Sequence, residues 1–150
     1  MDSFGYLRCL FIALVLFAVP AVEARNDNLQ VVVITNASVS SHALSTSQLR
    51  RVFSMRQLTW PDGQSMRVFV LNNKHEAHEA FCVGTLNMFP YQLERMWNKL
   101  IYSGLGEAPT EVASLDEMLE KVMTTPGAIG YVPSSIVPSE NIQIIRLEEG

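Results

Sequence analysis

Residues 66–88, MRVFVLNNKHEAHEAFCVGTLNM, constrain the fold more than any other part of the chain. Val68, Phe69, Val70 and Leu71 are consecutive apolar residues, the pattern of a strand with no wet face. Two asparagines later a helical pattern begins. A buried strand running directly into a helix belongs to an α/β sheet. The junction brings together the strand's carboxyl end, free helix N–H groups and the positive end of the helix dipole, where such folds place anions and other ligands. Asn72, Asn73, Lys74 and His75 occupy it and are the candidate ligand-binding residues. Asn73 and Glu76 have capping-box spacing, so the helix is expected to begin near Asn73. Ala77, Phe81, Gly84 and Met88 then fall on one side and form the expected core face.

The same helix raises two chemical readings. His75, His78, Glu79 and Cys82 lie within an arc of roughly 100°, opposite Phe81. Imidazole, carboxylate and thiolate are copper and zinc ligands. The spacing H-x-x-H-E-x-x-C is no standard motif, and polar residues on a solvent face beside a packed cysteine account for it more simply. No metal or other cofactor is assigned. Cys82 with His78 four residues earlier is also a thiol–imidazole pair. No oxyanion-hole turn adjoins it and no third group orients the imidazole, so no enzymatic activity is expected. His42, in the preceding loop, has no local partner.

Residues 1–24 read as a secretory signal peptide: Arg8, then the apolar run CLFIALVLFAVPAV, then Val22-Glu23-Ala24 as a small-residue cleavage site. The run is shorter than the roughly 20 residues of a comfortable membrane span. The expected product is residues 25–150, one periplasmic or otherwise exported domain with no membrane insertion after cleavage. Cys82 would be its single cysteine, so the core must hold it together without a disulfide. Net charge is −4 for the whole chain, and no basic run or basic–aromatic stripe appears, which argues against nucleic acid as a partner.

Gln30 to Thr35 is a β-branched run, expected to be a strand covered by helices on both faces. Residues 36–44 read as loop. Ser45 and Gln48 form a capping box for a helix with Leu49, Val52 and Phe53 inward and Arg50, Arg51 and Arg56 outward. Trp60-Pro61-Asp62-Gly63 is a turn. Pro90 opens a helix with the stripe Leu93, Met96, Trp97, Leu100 and Ile101, ended by Gly104. Residues 104–112 read as a connector. Ser114 and Glu117 cap a helix with Met118, Leu119, Val122 and Met123 inward, stopped by Pro126-Gly127. Strands are expected over 128–132 and 142–147, giving the order β, α, β, α, α, α, β, β.

Three segments, LSTSQLRRVFSMRQLTWPDG (44–63), LERMWNKLIYSGLGEAPTEVAS (93–114) and TPGAIGYV (125–132), resemble in order and distance the phosphate ABC transporter substrate-binding protein family, with the type II periplasmic binding protein fold. The resemblance covers nearly all of residues 25–150. It implies an α/β fold with a small mixed sheet flanked by helices, like one lobe of such a protein. It also implies non-covalent capture of a small anion such as phosphate at the helix start. Family members hold the anion between two lobes, with an arginine at a strand end and a Ser-Gly-Thr turn before the helix. Here the corresponding run is Asn72-Asn73-Lys74-His75-Glu76-Ala77, without arginine or Ser-Gly-Thr. The alternative is a non-transport envelope adaptor or regulatory domain that keeps the fold, has lost phosphate binding, and docks on an envelope protein or on a second copy of itself.

Overall fold

The computed structural model describes residues 29–149; the expected signal peptide lies outside them. In chain order the elements are β1 (Val31–Asn36), β2 (Ala43–Ser45), α1 (Thr46–Phe53), β3 (Arg67–Leu71), α2 (Glu76–Gly84), α3 (Pro90–Ser103), β4 (Thr110–Val112), α4 (Leu115–Thr124), β5 (Ala128–Pro133), β6 (Ile142–Ile144) and β7 (Arg146–Glu148), with a 3₁₀ turn at Ser134–Ile136.

Three apolar runs, in β3, β5 and β1, become the middle of a mixed five-stranded sheet ordered β4-β3-β5-β1-β6. β3 runs parallel to β4 and β5, while β1 runs antiparallel to β5 and β6. All six residues of β5 are buried. Neighbouring residues of a strand point to opposite faces. Gly130 meets Met118 and Val122 of α4, and the next residue, Tyr131, stacks on Phe81 of α2. The sheet is therefore covered on both sides, the layered α/β architecture expected from the β-branched runs.

Three short strands depart from the sequence reading. β2 begins inside residues 36–44, expected as loop, and runs to Ser45, and the expected connector 104–112 contains β4. The expected last strand breaks at Ile145, which is buried and donates its N–H to the Val33 carbonyl. β6 thereby stays on β1, while β7 pairs separately with β2. Three-residue strands carry too few positions for an alternation to show.

The caps of α1, α3 and α4 follow the sequence closely. Ser45 and Gln48 exchange side-chain-to-backbone bonds as a capping box. Ser114 accepts from the Glu117 N–H, and the Glu117 carboxylate reaches back to the N–H of Ala113. Gly104 ends α3 at φ 69°. Leu93 and Trp97 are buried, and the Trp97 indole donates to the Phe53 carbonyl at the end of α1. The rest of that stripe is less covered than expected: Met96 and Leu100 are half-buried, and Ile101 is 49% exposed. Arg50, expected to point away, donates to the Leu86 carbonyl and ties the segment after α2 to α1.

Gly127 joins the two turn motifs. Its N–H donates to Ser38 Oγ, and its carbonyl accepts from Trp60 Nε1 and from the N–H of Arg67. Its φ is 75°, and an added Cβ would stand 2.1 Å from the Ser65 carbonyl oxygen. Left-handed strain and a backbone clash add. Gly127→Ala is expected to cost about 2–4 kcal/mol, read as a lower urea midpoint with an unchanged slope.

Candidate functional site

β3 delivers the chain to Asn72, and the asparagine side chain then shapes the junction. Asn72 Oδ1 accepts from the N–H of Lys74 at 3.0 Å, and its carbonyl accepts from the N–H of His75 at 2.9 Å. Asn73 is thus held inside a turn, and the helix starts later than the spacing suggested. His75, not Asn73, is the N-cap: its Nδ1 accepts from the N–H of Ala77 at 3.1 Å. Glu76 becomes the first helical residue and does not reach back as a capping box would. An imidazole caps only while Nδ1 is unprotonated.

The four candidate residues do sit together at the end of β3. Asn72 and Lys74 are exposed, and Asn73 and His75 half-buried. The donors an anion would use are largely engaged. The N–H groups of Lys74, His75 and Ala77 are bonded as described, and that of His78 donates to the His75 carbonyl. Asn72 Nδ2 donates to the Glu111 carboxylate on β4 at 3.2 Å. Glu76 and Glu79 lie in the first turn of α2. Lys74 is therefore the lone cation of this junction, among three carboxylates.

Beneath the junction runs a buried polar chain. Tyr131 Oη accepts from the N–H of Leu71 at 2.9 Å, so its own proton is free for His78 Nδ1 at 2.5 Å. His78 is then neutral with its proton on Nε2, directed at Cys82 Sγ 3.5 Å away. Burial lowers the His78 pKa from 6.5 to about 4; Glu111 opposes this and His75 adds to it. Burial pushes the Cys82 thiol up to about 12 and the Tyr131 hydroxyl upward as well. A thiol held protonated is a poor nucleophile and a poor metal ligand.

His78 was expected on a solvent face opposite Phe81; it is fully buried instead, beside Cys82, which is buried as expected of a packed cysteine. α2 buries Ala77, His78, Phe81 and Cys82, while Gly84 is exposed and Met88 lies half-buried beyond the helix, so the expected core face was rotated. The physical reason is Tyr131, which supplies a hydrogen-bonding lid for the imidazole from 53 residues away. His75 and Glu79 stay on the outer side, and no group of three or more His, Cys, Asp or Glu side chains among the described residues is placed to hold a metal. Tyr131 and Glu111 are the residues that local spacing did not reveal. His42 is exposed, with its carbonyl accepting from the Arg146 N–H.

The mixed sheet with helices on both faces and a helix start at a strand end resembles one lobe of a type II periplasmic binding protein. The chain matches an ABC-type phosphate transport receptor from Vibrio cholerae with TM-score 0.60 and 16% identity, over 79% of this chain and 46% of that one. A Clostridium perfringens protein assigned as a phosphate ABC transporter substrate-binding protein, solved with bound phosphate, matches with TM-score 0.61 and 13% identity, over 78% and 44%. PstS from Borrelia burgdorferi matches with TM-score 0.57 and 12% identity, over 79% and 47%. The chain thus spans less than half the length of these binding proteins. No family model and no curated protein matches it.

The buried imidazole predicts an acid-sensitive fold. The folded pKa lies below the unfolded one, so the unfolded chain takes up a proton first. The stabilisation is complete above pH 6.5 and is lost as the pH falls towards 4. It amounts to up to about 3 kcal/mol. Urea midpoints between pH 7 and 4 should fall more steeply for the wild type than for His78→Gln.

Proposed function

We propose that this chain is a non-catalytic binding domain of the cell envelope that keeps one lobe of the phosphate-receptor fold and works by engaging another protein. Export rests on the leader read in residues 1–24. The neighbours in fold are binding proteins rather than enzymes, and the buried, protonated Cys82 supports the same side of that choice.

The observation that carries the reading is the hydrogen bonding at the start of α2. An anion site there needs free amides and a positive surround. Asn72 and His75 close the amides of Lys74 and Ala77, and Glu111 accepts from the asparagine that would face a ligand. Displacing these bonds for a phosphate would leave the imidazole and the carboxamide without their partners while adding charge beside Glu76 and Glu111.

One observation favours a second reading, capture of a phosphate-like anion at Asn72, Asn73, Lys74 and His75. A structure of this fold was solved with phosphate bound, and Lys74 is exposed at the corresponding kind of junction. Calorimetric and thermal-shift titration with phosphate and sulfate separates the two. The proposal expects no rise in melting temperature at 10 mM phosphate. Binding of even 0.1 mM affinity would add about 2.7 kcal/mol at that concentration, a plain shift for a domain this size. A shift abolished by Lys74→Glu would establish the anion reading instead.

A further inference from the structure

We propose that the groove between the ends of α1 and α3 is the docking site, and that its occupant is a short acidic–apolar segment of a partner protein. The inference rests on the reading of this chain as a docking domain and names the face it uses.

Both walls of the groove are helix ends of one design. α1 ends with Met55 in the left-handed region at φ 62°, and the next N–H, of Arg56, returns to the Arg51 carbonyl. α3 ends with Gly104 at φ 69°, and the next N–H, of Leu105, returns to the Leu100 carbonyl. The 6→1 bond fixes the residue after each left-handed position. The backbone at Arg56 and Leu105 is therefore fixed, and the Leu105 side chain is 82% exposed. Methionine at the first of these positions is notable, because a side chain there is strained where glycine is not.

Between these ends lies a groove of about 190 Å³ floored by Met96 and Leu100, with Leu105 as one wall and Arg56 and Lys99 on its rim. A second hollow of about 400 Å³ shares the Leu105 wall and is bordered by Met55, Leu58, Met66 and Arg67. Leu58 borders the larger hollow at 51% exposure. Met96 and Leu100, half-buried, are the part of the α3 stripe that the lobe itself leaves open at the groove.

The rim selects the occupant. Arg56 and Lys99 border the smaller groove with no carboxylate among its lining residues, while Glu107 stands with Arg67 in the larger hollow, all in a chain whose net charge is −4. Carboxylates complement that rim. The cavity takes one or two large apolar side chains, the form of an anchor on a peptide. An anionic membrane would meet repulsion from the rest of the chain, and a concave pocket offers it little area to bury.

A photo-crosslinking residue placed at Leu105 in cells of the source organism, with mass-spectrometric mapping of the joined peptide, tests this. The expected product is one partner joined through a segment rich in Asp or Glu with a large apolar residue. Its yield should fall about tenfold in an Arg56→Glu/Lys99→Glu background, two exposed positions whose change leaves the core intact. Crosslinks to lipid, to a second copy or to a basic segment would overturn the proposal, as would a yield indifferent to the two charge reversals. The same probe at Tyr91 and Leu147 separates the two levels. A partner captured only there would refute this face and keep the docking function, and none at any of the three would remove both.

Discussion

The hydroxyl of Tyr131 holds the arrangement around the candidate site together. β3 and β5 pair only at Arg67↔Ala128 and Val68↔Ile129, after which β3 turns its pairing to β4. The N–H of Leu71, at the end of β3, takes Tyr131 as its acceptor. The same hydroxyl donates to His78, and the Tyr131 ring stacks on Phe81 with centroids 3.9 Å apart and planes within 7°. One side chain of the central strand thus fixes both the strand end and the helix that follows it. A buried polar chain is stabilising only when every member is satisfied. Here each group finds a partner in turn, from the backbone N–H to the thiol.

That arrangement explains why a junction built like an anion site resembles one so little in chemistry. The fold supplies the strand end, the turn and the helix dipole. The side chains then close what the backbone opens. Asn72 bends the turn on itself, His75 occupies the Ala77 amide, and Glu111 from the neighbouring strand joins Asn72. The uncovered apolar surface lies elsewhere, at the two helix ends where backbone bonds fix the chain at Arg56 and Leu105.

Much of the fold was readable in the sequence because it rests on local rules. The β-branched run at β1, the Ser45–Gln48 box, Pro90 and Gly104 around α3, and the Trp97 core position each follow from residues a few positions apart. What escaped depends on distant partners or on very short elements. β2, β4 and β7 are three residues long and exist because a neighbour lies alongside. His78 looked like a surface residue because histidine is polar; its burial depends on a tyrosine hydroxyl from another strand. The four junction residues do lie together between β3 and α2, but the cap was misplaced. Asn72 and Asn73 are both good cap residues, and only three-dimensional closure of the Asn72 turn shows that neither starts the helix. TPGAIGYV carried a packing message in its glycines: Gly127 admits the Ser65 backbone, and Gly130 admits α4.

The central claim is that the start of α2 is closed by the protein's own acceptors. Amide resonances of Lys74, His75, Ala77 and His78, followed by nitrogen–proton correlation spectroscopy during a phosphate titration at pH 7.5, test it most directly. The account predicts that these resonances stay in place, with any drift small, linear and shared by surface amides across the molecule. Saturable shifts confined to these four amides would contradict it and show that an anion opens the turn.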